Sequence, residues 1–119
     1  MIRDVSIVRR VLEGLLRGKT FVVVLRHDRS PAEGKFLVGS SLFSDDTIAL
    51  VFDNRAASHR ELAGRYNLHP WGGGWLSLDD EQRRVRITGV SQDYGKEPDR
   101  DLTVRALKLA FPDYEVTEL

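Results

Sequence analysis

Two short segments constrain the fold of this chain more than any other feature. Thr20–Arg26 (TFVVVLR) and Thr47–Asp53 (TIALVFD) are apolar at nearly every position and rich in β-branched residues. A strand with one wet face alternates apolar and polar residues. A continuous apolar run belongs to a strand covered on both faces. The chain therefore needs a sheet whose interior holds these two strands, and helices to cover it.

The rest of the pattern supplies those elements. Residues 4–17 read as a helix, because Val5, Val8, Leu12, Leu15 and Leu16 fall on one face at helical spacing and Gly18 is a natural stop. His27–Gly34 is turn chemistry, Lys35–Ser41 a strand and Phe43–Asp46 a turn. A short helix then runs to about Tyr66, with two candidate starts. Asn54 can cap it, or Ser58 can, since Ser58-x-x-Glu61 has the form of a capping box and puts His59 at the first helical position. Asn67–Gly74 (NLHPWGGG) reads as a loop. Trp75–Leu78 and Arg83–Ser91 read as strands joined by Asp79–Gln82, the second with Val85 and Ile87 alternating against Arg84, Arg86 and Thr88. After a loop over Gln92–Asp99, Asp101 is the expected cap of a last helix with Val104, Leu107, Ala110 and Phe111 on one face. Pro112 ends it, and Tyr114–Glu118 closes the chain as a short strand. The expected fold class is thus α/β (α+β), one domain over residues 1–119, with a mixed β-sheet flanked by helices.

Composition narrows the function classes. With 18 Lys plus Arg against 18 Asp plus Glu, the formal charge is zero. A protein that tracks nucleic-acid phosphates needs a basic excess, so no nucleic-acid partner is expected. There is no cysteine, which excludes disulfides, thiolate catalysis, Fe–S clusters and Cys-based zinc sites. The apolar runs fall far short of the roughly 20 residues that span a bilayer. Met1–Ser6 lacks the basic-then-apolar layout of a signal peptide, so a cytoplasmic location and no membrane partner are expected. The three histidines show neither H-x-x-x-H nor H-E-x-x-H spacing, and no metal or organic cofactor is expected.

His59 is the first candidate for chemistry. A helix N-terminus disfavours the imidazolium, so a histidine there stays neutral at pH 7, and the same helix end attracts an anion. The plainer reading is a surface histidine on a short helix. His69, in His69-Pro70-Trp71, is a ligand contact or a loop residue packed on Trp71, and His27 reads as an exposed strand-end residue. Gly72–Gly74 permits close approach of a ligand to the backbone, or marks a bulge. Trp71 and Trp75 flank these glycines and either stack on a ligand or pack internally.

Three pieces of the last third carry a family pattern. They are Gly72-Gly73-Gly74 followed by Leu76-Ser77, then Gly89-Val90-Ser91-Gln92-Asp93-Tyr94-Gly95, then Phe111-Pro112-Asp113-Tyr114-Glu115-Val116-Thr117. In order and spacing this segment resembles the Janus/Ocnus family, the protein phosphohistidine phosphatases. The resemblance implies a compact phosphohistidine phosphatase-like domain that hydrolyses the P–N bond without a metal. It implies a catalytic base at the start of the central helix, for which His59 in His59-Arg60-Glu61-Leu62 is the counterpart. It also implies phosphate binding by the turn at Ser91, Gln92 and Asp93. Candidate ligand contacts are His69, Trp71, Gly73, Gly74, Trp75 and Tyr94. The implied substrate is a phosphorylated protein or a small phosphoramidate.

The chain departs from that pattern at three basic positions. The family has a Lys in its first strand where Val22 or a neighbour stands here. It has an Arg after the triple glycine where Trp75 stands, and an Arg before the catalytic helix where Ala49, Leu50 and Val51 lie. The alternative expectation is therefore a non-catalytic member that binds a protein, peptide or anion through the Trp71–Trp75 loop and the Ser91–Gly95 turn.

Overall fold

In the computed structural model, which describes residues 5–119, the chain forms seven strands and two helices. In chain order they are β1 (Ser6–Leu16), β2 (Lys19–His27), β3 (Ala32–Ser41), β4 (Thr47–Asp53), α1 (His59–Tyr66), β5 (Leu68–Asp79), β6 (Arg84–Thr88), α2 (Arg100–Ala110) and β7 (Glu115–Glu118). All seven strands make one sheet in the order β1-β2-β4-β3-β5-β6-β7. The β2–β4 and β6–β7 pairs are parallel and the rest antiparallel, so the sheet is mixed.

The two apolar runs lie side by side in the sheet interior, as their composition requires. Phe21, Val23 and Leu25 of β2, with Ile48, Leu50 and Phe52 of β4, face α2 in the larger core cluster. The alternate residues Val22, Ala49 and Val51 join Leu62 and Ala63 of α1 in a smaller cluster on the other face. Each fully buried Leu, Val or Phe contributes about 1.5–3 kcal/mol relative to exposure, and here both faces of the same strands collect it.

Several expected elements are corrected. The helix expected over 4–17 begins at Asp4, outside the described residues, but Ser6–Leu16 is a strand. It pairs antiparallel with β2 from Ser6↔His27 to Glu13↔Thr20. Its apolar residues at 7, 8, 11 and 12 repeat every four positions because both faces of this edge strand carry some, and that repeat imitates a helix. The expected loop Asn67–Gly74 is the first half of β5, paired with β3, and a register shift between Val38 and Gly39 accommodates Pro70 and Trp71. The last helix is capped by Asp99, whose side chain accepts from Leu102 N, and Asp101 lies in the first turn instead. His27 is buried, with Nδ1 2.9 Å from the Arg29 carbonyl oxygen, where an exposed residue was expected.

Among the described residues, no helix is long and apolar enough to cross a membrane.

Candidate functional site

The site is assembled where the N-terminus of α1 meets the middle of β5. Of the two candidate helix starts, the chain uses Ser58. Its Oγ accepts from Glu61 N at 3.1 Å, and Glu61 Oε2 accepts from Ala57 N at 2.7 Å. Asn67, at φ 53°, ends the helix in the left-handed region, a conformation asparagine tolerates. This cap fixes His59 as the first helical residue.

His59 is only 6% exposed, so it is a buried residue and not a half-exposed one on the surface of a short helix. Its Nε2 lies 3.1 Å from the Gly74 carbonyl oxygen. A carbonyl can only accept, so Nε2 carries the hydrogen and Nδ1 is left as the ring's acceptor. Burial is the main force holding the imidazole pKa below its ordinary value. The bond to Gly74 opposes this, and the positive charge of Lys35 adds to the lowering. The direction agrees with that expected from the helix end, but the leading cause is desolvation.

Around His59 lies a cleft of about 370 Å³, lined by Lys35, Ala57, Ser58, Gly74, Trp75, Gly89, Val90, Gln92 and Asp93. Lys35 is the residue that sequence reading missed. It reaches the cleft from β3, whose alternation puts Phe36 in the larger core cluster and Leu37 with α1, so Lys35 shares the α1 face. In register it stands opposite Trp75, with Nζ 5.4 Å from the indole centroid. No local motif marks it; only the pairing of β3 with β5 brings it to the site.

Two of the three glycines are explained by strand packing, and Gly72 by the backbone of Lys96 and Glu97 against it. A Cβ at Gly73 would lie 2.1 Å from the Phe36 carbonyl oxygen, and one at Gly74 2.4 Å from that of Thr88. The bare backbone at Gly74 thus lets β6 close in while its own carbonyl holds His59.

The turn after β6 contributes unevenly. Gln92 and Asp93 line the cleft, and among the described residues their amides have no partner within the protein; the same holds for the amides of His59 and Arg60. Such amides, with a lysine, form a cradle for an anion. Asp93 Oδ1 is 3.4 Å from Arg60 Nε, which offsets its charge. Ser91 is buried behind the cleft. Its amide donates to the carbonyls of Gly73 and Gly95, and its Oγ accepts from Tyr94 N, so its groups hold the turn in shape. Gly73 and Tyr94 belong to the same supporting layer.

The remaining candidates lie elsewhere. His69 is exposed on β5 and lines none of the cleft. Trp71 packs against the larger core cluster on the α2 face, while Trp75 lines the cleft on the α1 face. The two tryptophans therefore do not form one contact surface, because they stand on opposite faces of a strand. Among the described residues, no group of three His, Asp or Glu side chains is placed to hold a metal ion.

A sequence model described as the Janus/Ocnus family (Ocnus) matches residues 19–115. The chain belongs to the Janus/Ocnus family. No curated protein matched its sequence. The family match runs upstream of Gly72 through β2, β3, β4 and α1, and so takes in Lys35 and His59 as well as the C-terminal motifs. In this Janus/Ocnus domain the three strands that carry basic residues in the resemblance contribute none to the cleft at those positions. Its cation comes from β3 instead.

Proposed function

We propose that this domain hydrolyses the P–N bond of phosphoramidates, with a phosphorylated histidine of a protein or a small phosphoramidate as substrate, and that its fold is phosphohistidine phosphatase-like. The observation that carries the reading is the bond from His59 Nε2 to the Gly74 carbonyl, which leaves Nδ1 as the unprotonated nitrogen of a residue lining a cleft furnished for an anion. Water attacks phosphorus, and His59 Nδ1 takes one of its protons. The new O–P bond forms as the P–N bond breaks. The leaving nitrogen receives a proton, so phosphate and the free amine or imidazole are the products. Lys35 and the free amides at Gln92, Asp93 and the start of α1 stabilise the phosphoryl oxygens. The reaction needs no metal, and the domain acts in the cytoplasm.

The test is phosphate release from phosphohistidine and from phosphoramidate by the purified chain in the presence of a chelator. Release above the uncatalysed rate supports the reading; its absence counts against it.

Two further results follow for this cleft. Replacing Lys35 with Met removes the charge that lowers the His59 pKa, so the His59 titration followed by NMR moves upward. Activity requires the neutral ring, hence its acid limb moves to higher pH in the same variant. Phosphate affinity falls about tenfold to a hundredfold with the loss of one charge-assisted hydrogen bond. An unmoved titration and unchanged phosphate binding would remove Lys35 from the site.

Trp75→Arg restores a cation after the triple glycine. It should tighten phosphate binding by about tenfold if the cleft holds the anion there. Calorimetric titration of both proteins decides, and an Arg variant that folds without gain argues against an anion at that end of the cleft.

A further inference from the structure

β1 has one edge on β2, and among the described residues its other edge pairs with no strand. The edge is regular from Ser6 to Glu13 and shifts register beyond it. Val8 and Leu12 turn toward the larger core cluster. By alternation Ile7, Arg9, Val11 and Glu13 point to the opposite face, where Ile7 is 63% and Val11 47% exposed. The Arg9 carbonyl accepts from Arg10 Nη1 at 3.2 Å, a bond within the edge itself. A long, partly apolar, unpaired edge is a template for another strand unless its charges forbid the match.

The charges of β1 favour one match, with itself. In antiparallel pairing, residues directly opposite share a face, so a strand paired with its own copy has its two-fold axis on a residue. Centring on Arg9, Arg10 or Glu13 sets like charges against each other. Centring on Leu12 sets Val11 against Glu13 and leaves Arg9 without an acid. Centring on Val11 sets Arg9 of each chain opposite Glu13 of the other, twice, with Val11 against Val11 on the axis. The Arg9–Glu13 stretch lies wholly within the regular part of the strand.

We propose that the chain forms a two-fold dimer by antiparallel pairing of β1 with β1 of a second copy, centred on Val11, which joins two seven-stranded sheets into one. The pairing buries Val11, satisfies edge backbone groups and closes on itself as an isologous interface. It is independent of the proposed hydrolysis, since the cleft lies toward the other side of the sheet, on β3 and β5.

The test is sedimentation equilibrium of the full chain at protein concentrations up to about 100 µM, where an affinity of this modest class registers. The parent is expected at twice the 13.5 kDa chain mass. Arg9→Glu and Glu13→Arg each set like charges opposite at both ends of the ladder, and each should weaken the dimer by about tenfold or more. The double variant Arg9→Glu/Glu13→Arg restores opposite pairs and should return the dimer. A monomeric parent, single variants that remain dimers, a folded double variant that stays monomeric, or a mass that climbs past the dimer would each overturn the proposal.

Discussion

His59→Ala is expected to lower the proposed phosphoramidate hydrolysis by about 100- to 10,000-fold, the usual cost of losing a general base. The side chain is buried and bonded to Gly74, so the substitution also leaves a carbonyl without its donor. An unsatisfied buried acceptor costs about 1–3 kcal/mol, and stability must be measured beside activity. His59→Gln separates the two effects. Its amide can still donate toward Gly74, but it cannot accept a proton from water, so the variant should be nearly as stable as the parent and as inactive as the alanine. His69→Ala and His27→Ala should retain most of the activity, since neither residue lines the cleft. The pH dependence has a definite sign. Burial holds the His59 pKa below its ordinary value, so the neutral base persists at neutral pH, and activity declines only as pH falls through that lowered pKa. A His59→Gln protein that hydrolyses as fast as the parent would end the mechanism.

What was legible in the sequence follows from where each signal resides. β2 and β4 announce themselves, since only a sheet interior covers both faces of such runs. The start of α1 is written in Ser58 and Glu61, a contact between near neighbours. The opening half of β5 is hidden because Pro70 and three glycines are loop residues in isolation; what makes them strand is the close approach of β3 and β6. β1 is hidden because its exposed face carries Ile7 and Val11, which blurs the two-residue period. The site divides in the same way. His59, Gln92, Asp93, Gly74 and Trp75 sit in recognisable local patterns. Lys35 enters only through the order β4-β3-β5, which no local pattern of residues contains.

The largest expected loss of stability comes from a residue beside the site and not in it. Arg100, at the start of α2, is 6% exposed and pairs with the equally buried Glu97, its Nε donating to Oε1 at 2.8 Å. Thr103 Oγ1 donates to the other Glu97 oxygen at 2.6 Å. Arg100 Nη2 donates to the carbonyls of Gly73 at 3.3 Å and Gly89 at 2.9 Å, and its guanidinium lies over the Phe36 ring. The cation thus ties α2 to β5 and to the turn that carries Gln92 and Asp93. Arg100→Met keeps the volume of the stem but leaves Glu97 buried with a single donor, takes the donor from the Gly89 carbonyl and leaves the Gly73 carbonyl with the Ser91 amide. Breaking such a pair from one side costs about 3–5 kcal/mol. Adding Glu97→Gln removes the stranded charge, so the double variant should recover part of the loss. Urea unfolding of the three proteins measures both steps. Because Gly89 lines the cleft, Arg100→Met should also weaken the proposed phosphate binding even where the protein stays folded. A cost below about 1 kcal/mol, the level of an exposed pair, would mean that water already reaches this cluster and that Arg100 does not brace the site.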